Sequence, residues 1–110
     1  DDHVKNIAFL MDRSGTWSLA PAFDVIYSYQ PDGQWMSSHQ MTLNGKRDDF
    51  VLADFEACAK AVSLKRGRAK AILAEACETV GRWRDYADDV GASPAQRDAI
   101  QNVLRLGPFA

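Results

Sequence analysis

Ile7-Ala8-Phe9-Leu10-Met11-Asp12-Arg13-Ser14-Gly15-Thr16-Trp17-Ser18-Leu19-Ala20-Pro21-Ala22-Phe23-Asp24 is the stretch that decides the fold class. Ile7 to Met11 is a short apolar run. Asp12-Arg13-Ser14-Gly15 interrupts it with turn residues, and Trp17-Ser18-Leu19 then alternates. This order predicts a β-hairpin with a four-residue loop, with Gly15 free to take a positive φ. Ala20-Pro21-Ala22 ends it, because Pro21 disfavours helix at Ala20 and has no N–H for further pairing.

Downstream, residues 28–48 are rich in Ser, Gln, Asp and Gly and read as an irregular surface excursion. Pro31-Asp32-Gly33 is a turn signal. Met41-Thr42-Leu43 predicts a short strand running into a tight Asn44-Gly45 turn. Near Asp49 the pattern becomes helical. Leu52, Phe55, Ala59 and Val62 mark one stripe, with Glu56 and Lys60 as an outward i, i+4 pair. Ser63-Leu64 ends that helix.

A second helix is expected from about Gly67 to Asp89, with Ala69, Ile72, Leu73, Ala76, Val80, Trp83 and Ala87 facing inward. Gly81 inside it points to close approach by a neighbour, and Gly91 supplies a stop. Ser93-Pro94-Ala95-Gln96 opens a third helix with a capping box, and Ile100, Val103 and Leu104 form its inward stripe. The expected class is α+β, mainly helical. A small N-terminal β-hairpin platform precedes three packed helices, in one domain over 1–110 with regions 1–48 and 49–110.

The chain has 110 residues and is 46% hydrophobic, enough for one core and against wholesale disorder. Its 13 Lys and Arg nearly balance 15 Asp and Glu, so the net charge of -2 gives no global pull towards nucleic acid or anionic membrane. No apolar run reaches membrane-spanning length. Cys58 and Cys77 lie in apolar, helix-like runs and are expected as buried thiols in a reducing, cytoplasmic compartment.

The ionisable groups gather beside the hairpin. Asp1-Asp2-His3-Val4-Lys5-Asn6 precedes it and Asp24 follows it. Three readings are open: a solvated acidic turn, a divalent-metal site built from hard oxygens, or a catalytic site in which one carboxylate takes a proton and the others hold metal. The spacing favours the third. Protein kinases place an Asn five residues after a catalytic Asp, and a second metal-binding Asp beyond a short hairpin.

The strings Asp1-Asp2-His3-Val4-Lys5-Asn6-Ile7-Ala8-Phe9-Leu10, Trp17-Ser18-Leu19-Ala20-Pro21-Ala22-Phe23-Asp24-Val25 and Met41-Thr42-Leu43-Asn44-Gly45-Lys46-Arg47 resemble the C-terminal domain of the HipA family. These are serine/threonine protein kinases, the toxins of bacterial toxin–antitoxin systems. The resemblance is strong through Asp24, moderate to Arg47 and weaker beyond. It implies a C-terminal kinase-lobe fold and ATP- and Mg²⁺-dependent phosphorylation of a protein substrate. By motif position Asp1 corresponds to the catalytic Asp, and Asn6 and Asp24 to the magnesium ligands. Lys5 lies near the transferred phosphate, and His3 braces the same catalytic loop. Asp1 itself is expected to be poorly ordered. Phe23 is expected to pack in the core and fix Asp24. Ala22-Phe23-Asp24-Val25 stands where other kinases have Asp-Phe-Gly, and without that glycine the usual activation-segment flip is not expected.

No glycine-rich phosphate loop and no phosphate-gripping lysine occur in these residues. The resemblance therefore implies an upstream nucleotide-binding lobe and an inactive isolated chain. It also implies a helix-turn-helix antitoxin as partner, with DNA contact through that complex. Lys65, Arg66, Arg68 and Lys70 form the densest basic cluster and a weak candidate for such contact. The competing function is a non-catalytic helical module binding an antitoxin or DNA. A metal-dependent hydrolase ranks last, because Asp1, Asp2 and Asp24 lack the histidines or paired carboxylates such sites use.

Overall fold

A computed structural model of the chain describes residues 3–107. The chain divides into two compact units, residues 1–49 and residues 50–110.

In the first unit a single 3-10 turn, Val4–Asn6, leads into strands β1 (Phe9–Met11) and β2 (Trp17–Leu19). They pair antiparallel with Phe9 opposite Leu19, Leu10 opposite Ser18 and Met11 opposite Trp17. The Asp12 N–H donates to the Thr16 carbonyl at 3.0 Å, so Asp12 is already paired and the loop proper is Arg13-Ser14-Gly15. Gly15 takes a φ of +83°, which a side chain would resist. At the open end the Ala20 N–H donates to the Ala8 carbonyl at 2.9 Å, and Pro21 ends the ladder.

Phe9, Met11, Trp17 and Leu19 share one face of the ribbon, and all four are exposed. The unit buries no side chain among its described residues. Phe23 is therefore not a core residue, contrary to the sequence reading. It is 47% exposed, in a unit that buries no apolar side chain among its described residues. Further on, the His39 N–H donates to the Arg47 carbonyl, and Arg47 Nε returns a bond to the His39 carbonyl at 2.6 Å. Inside that loop Leu43 bridges to Lys46 around Asn44 and Gly45, both at positive φ. The strand expected at Met41–Leu43 is thus reduced to one bridge closed by a tight turn.

Among the described residues the second unit contains four helices: α1 (Leu52–Ala61), α2 (Arg68–Gly81), α3 (Trp83–Asp89) and α4 (Pro94–Gln101). At the start of α1, Asp54 accepts the Val51 N–H at 2.9 Å and is itself buried. Negative charge there also suits the positive end of the helix. Phe50 and Phe55 meet edge to face beside it. Ser63, at φ +56°, ends the helix. Its N–H donates to the Lys60 carbonyl and the Leu64 N–H to the Ala59 carbonyl, the paired bonds of a Schellman turn. Leu52, Phe55 and Ala59 are half-buried as expected, but Val62 lies past the helix end and is exposed. Glu56 and Lys60 form no ion pair among the described residues.

The long helix predicted over 67–89 is divided. Arg82 leaves helical geometry with ψ +16°, ending α2 and starting α3. Gly81 is the weak link, since glycine in a helix interior costs about 1 kcal/mol against alanine. A Cβ on Gly81 would meet Leu106 at an ordinary 3.8 Å, so close approach is not why glycine stands there. The inward line of α2 is Ala69, Leu73 and Cys77, narrower than the sequence reading, with Ile72, Ala76 and Val80 exposed. Cys58 and Cys77 are half-buried free thiols.

Several polar contacts join α3 and α4. Trp83 Nε1 donates to the Arg97 carbonyl at 2.9 Å. Arg97 reaches Asp88 at 2.7 Å and Asp98 at 3.0 Å, and Arg84 reaches Asp98 at 2.9 Å. Gly91 ends α3 at φ +72°, and Ser93 Oγ caps α4 through the Gln96 N–H with Pro94 at the first helical position. Among the described residues no helix is long and apolar enough to cross a membrane.

The Arg97 network carries a pH dependence. Hydrogen bonding from Arg97, with the charges of Arg97 and Arg84, holds the Asp98 carboxyl below its ordinary value of 3.8. A depressed native pKa stabilises the fold above the unfolded value, and the contribution is lost as pH falls through the native one. Acid unfolding followed by Trp83 fluorescence should show this loss below about pH 4. Asp98→Asn should remove that step and leave the profile above pH 5 parallel to the parent's. An unaltered acid limb in the variant would contradict the assignment.

Candidate active site

The site is built from the two arms that flank the hairpin. On the entering arm, the Asn6 N–H donates to the His3 carbonyl at 3.0 Å and closes the single 3-10 turn. His3 therefore braces Asn6 through its backbone, and the imidazole is half-buried. Lys5 projects from the same turn and is exposed, without an ion pair among the described residues. Asp1 and Asp2 lie outside the described residues.

On the leaving arm Asp24 has a φ of +55°, in left-handed backbone that costs most side chains about 1 kcal/mol or more. Asp and Asn bear that conformation better than other residues, though it remains uncommon. Observed strain of this kind gathers at functional sites. The bend brings the carboxylate onto the entering arm, where Asn6 Nδ2 donates to Asp24 Oδ2 at 3.0 Å across 18 residues of sequence.

The structure thus brings Asn6 and Asp24 together and sets His3 and Lys5 in the adjoining turn. Chemically the pair offers a carboxylate and a carboxamide, both carrying the hard oxygens that Mg²⁺ accepts. Among the described residues no group of three or more His, Cys, Asp or Glu is placed to hold a metal.

Sequence reading missed the side-chain bonding of Asp12 at the hairpin turn. Asp12 Oδ1 accepts the Ser14 N–H at 2.8 Å, the Ser14 hydroxyl at 2.6 Å and the Thr16 N–H at 2.9 Å. These bonds, the Ser14 hydroxyl foremost, hold the Asp12 carboxyl below its ordinary pKa. The available signal was an Asp two residues before a Ser at a hairpin corner, which predicts a side chain bonded to its own turn.

The family model for the HipA-like C-terminal domain matches residues 1–84. The chain belongs to that family. Membership in the HipA-like kinase family brings with it a kinase-family fold, and the hairpin followed by a helical region agrees with it. The match covers both flanking arms of the hairpin and extends to Arg84 within α3. No curated protein and no solved structure matches the chain.

Proposed function

We propose that this HipA-like chain supplies the catalytic-loop and metal-binding part of a serine/threonine protein kinase that uses ATP and Mg²⁺ to phosphorylate a protein hydroxyl. The observation that carries the reading is the Asn6–Asp24 pair, held at 3.0 Å with Asp24 in strained left-handed backbone. Asn6 and Asp24 would hold magnesium, which supplies charge neutralisation on the transferred phosphoryl group. Asp1 is assigned the role of orienting the acceptor hydroxyl and taking its proton. Lys5, exposed and without an ion pair among the described residues, is assigned to the phosphate. His3 positions Asn6 through the backbone bond of the 3-10 turn.

The nucleotide-binding lobe belongs to a larger protein in this reading. Joined to such a lobe, the chain should support phosphoryl transfer to protein serine or threonine that depends on both ATP and Mg²⁺. Transfer that persists in EDTA, or ATP hydrolysis with no protein product, would contradict the assignment.

A helix-turn-helix antitoxin is proposed as partner, with DNA contacted through that complex. Lys65, Arg66, Arg68 and Lys70 favour the DNA contact. All four are exposed, and none is ion-paired among the described residues. Arg82, Arg84 and Arg97, further along the same unit, each have a carboxylate partner. The basic cluster also sits at the positive end of α2, where it gains nothing from the helix dipole. Each cation lost from a duplex contact should flatten the salt dependence of binding by about 0.9 in log–log slope. Replacing all four by Gln in the antitoxin complex should therefore lower the slope by about 3.6. An unchanged slope would remove the cluster from the contact and leave the kinase reading intact.

A further inference from the structure

We infer that Asp12 is the positioning residue of the Asn6–Asp24 pair: by closing the hairpin turn it holds the register that lets the two side chains meet. Its functional meaning rests on the metal-site reading above, but its structural content does not.

Strand register is ordinarily pinned by a buried face, because a slip of one residue would turn that face outward. Here every residue of β1 and β2 is exposed, so burial gives no such restraint within the unit. What remains is the turn. One carboxylate oxygen of Asp12 gathers the Ser14 N–H, the Ser14 hydroxyl and the Thr16 N–H. The Asp12 backbone takes part as well, its carbonyl accepting the Gly15 N–H at 3.1 Å and its N–H meeting the Thr16 carbonyl. With Asp12 set opposite Thr16, the ladder runs by fixed steps to Ala8 and Ala20 at the open end. Asn6 lies two residues before that end and Asp24 four residues after it.

A slip of one residue displaces one arm by about 3.4 Å. The Asn6–Asp24 bond, now 3.0 Å, would then exceed hydrogen-bonding range. Asp12 sits at the opposite end of the hairpin from the pair, so its effect is transmitted through the ladder and not by contact.

NMR of the full chain tests this through the side-chain amide signals of Asn6. In Asp12→Ala those signals should move away from the parent position as the Asp24 bond is lost. Asp12→Asn keeps an acceptor oxygen at the same place and should hold them near the parent value. Ser14→Ala removes one of the three donors and should fall between. Mn²⁺ broadening at Asn6 and Asp24 should weaken about tenfold or more in apparent affinity in Asp12→Ala, and much less in Asp12→Asn. If Asp12→Ala unfolds the hairpin, judged by the Trp17 indole signal, Ser14→Ala decides. An unmoved Asn6 signal in a folded Asp12→Ala or in Ser14→Ala, or no rescue by Asp12→Asn, overturns the inference. Absence of Mn²⁺ broadening in the parent chain would sink the metal reading alone, because the Asn6 amide comparison needs no metal.

Discussion

Asp24→Asn in a kinase that contains this chain should leave the fold intact and lower phosphoryl transfer about a thousandfold, or about 4 kcal/mol of barrier. The fold should survive because Asn tolerates the left-handed backbone that Asp24 occupies at φ +55°. Its carbonyl oxygen can still accept the Asn6 amide proton. In the proposed reading, what is lost is the negative charge and one strong magnesium-binding oxygen, which would count most in the charged transition state. Steady-state transfer rates with melting curves on the same samples check both halves. Asp24→Ala makes a useful contrast, because it should lose the activity and add about 1 kcal/mol or more of backbone strain. An Asp24→Asn enzyme with near-parent rates would remove Asp24 from the metal site.

The largest stability effect is expected from Trp83→Ala, at about 2–4 kcal/mol. Trp83 opens α3 and is half-buried, and its indole N–H holds the Arg97 carbonyl of α4 at 2.9 Å. The second unit has little else to spend. Ala69 and Ala87 are its buried apolar residues among those described. Small domains with thin cores have small margins, so a loss of this size takes a large share of the total. Trp83→Phe keeps most of the ring volume and loses the donor, and should cost about 1 kcal/mol. Urea unfolding at constant slope measures both. Equal costs for the two variants would assign the effect to the hydrogen bond, and negligible cost for both would show that the α3–α4 contact is held by the Arg97 ion pairs.

The contrast between these residues marks what could be read from sequence. The hairpin was legible because Gly15 and the alternation at Trp17-Ser18-Leu19 are local signals with local causes. The helix ends at Gly91 and Ser93 were legible for the same reason, since caps act through bonds only a few residues away. The break at Arg82 was not. Nothing but Gly81 marks it, and the bond that draws α3 towards α4 spans 14 residues. The sequence reading also gave α2 a wider apolar face than it buries. Periodicity reports which residues share a face, but not how much partner surface is present to cover it.

The site divides the same way. Asn6 and Asp24 were nominated by spacing and by family resemblance, which supply residue types and order. Their contact depends on the register set at Asp12 and on a reversed φ at Asp24, and neither follows from spacing alone. The misplacement of Phe23 has a related origin. A phenylalanine beside the Asp nominated for metal suggests an anchor in a core, yet the platform is held by turn chemistry and buries no side chain among its described residues.

The most direct measurement is a crystal structure of the kinase containing this chain, with Mg²⁺ and a non-hydrolysable ATP analogue bound. Oxygens of both Asn6 and Asp24 should lie about 2.1 Å from magnesium that also contacts the nucleotide phosphates. Magnesium coordinated with neither side chain in its shell would contradict the account.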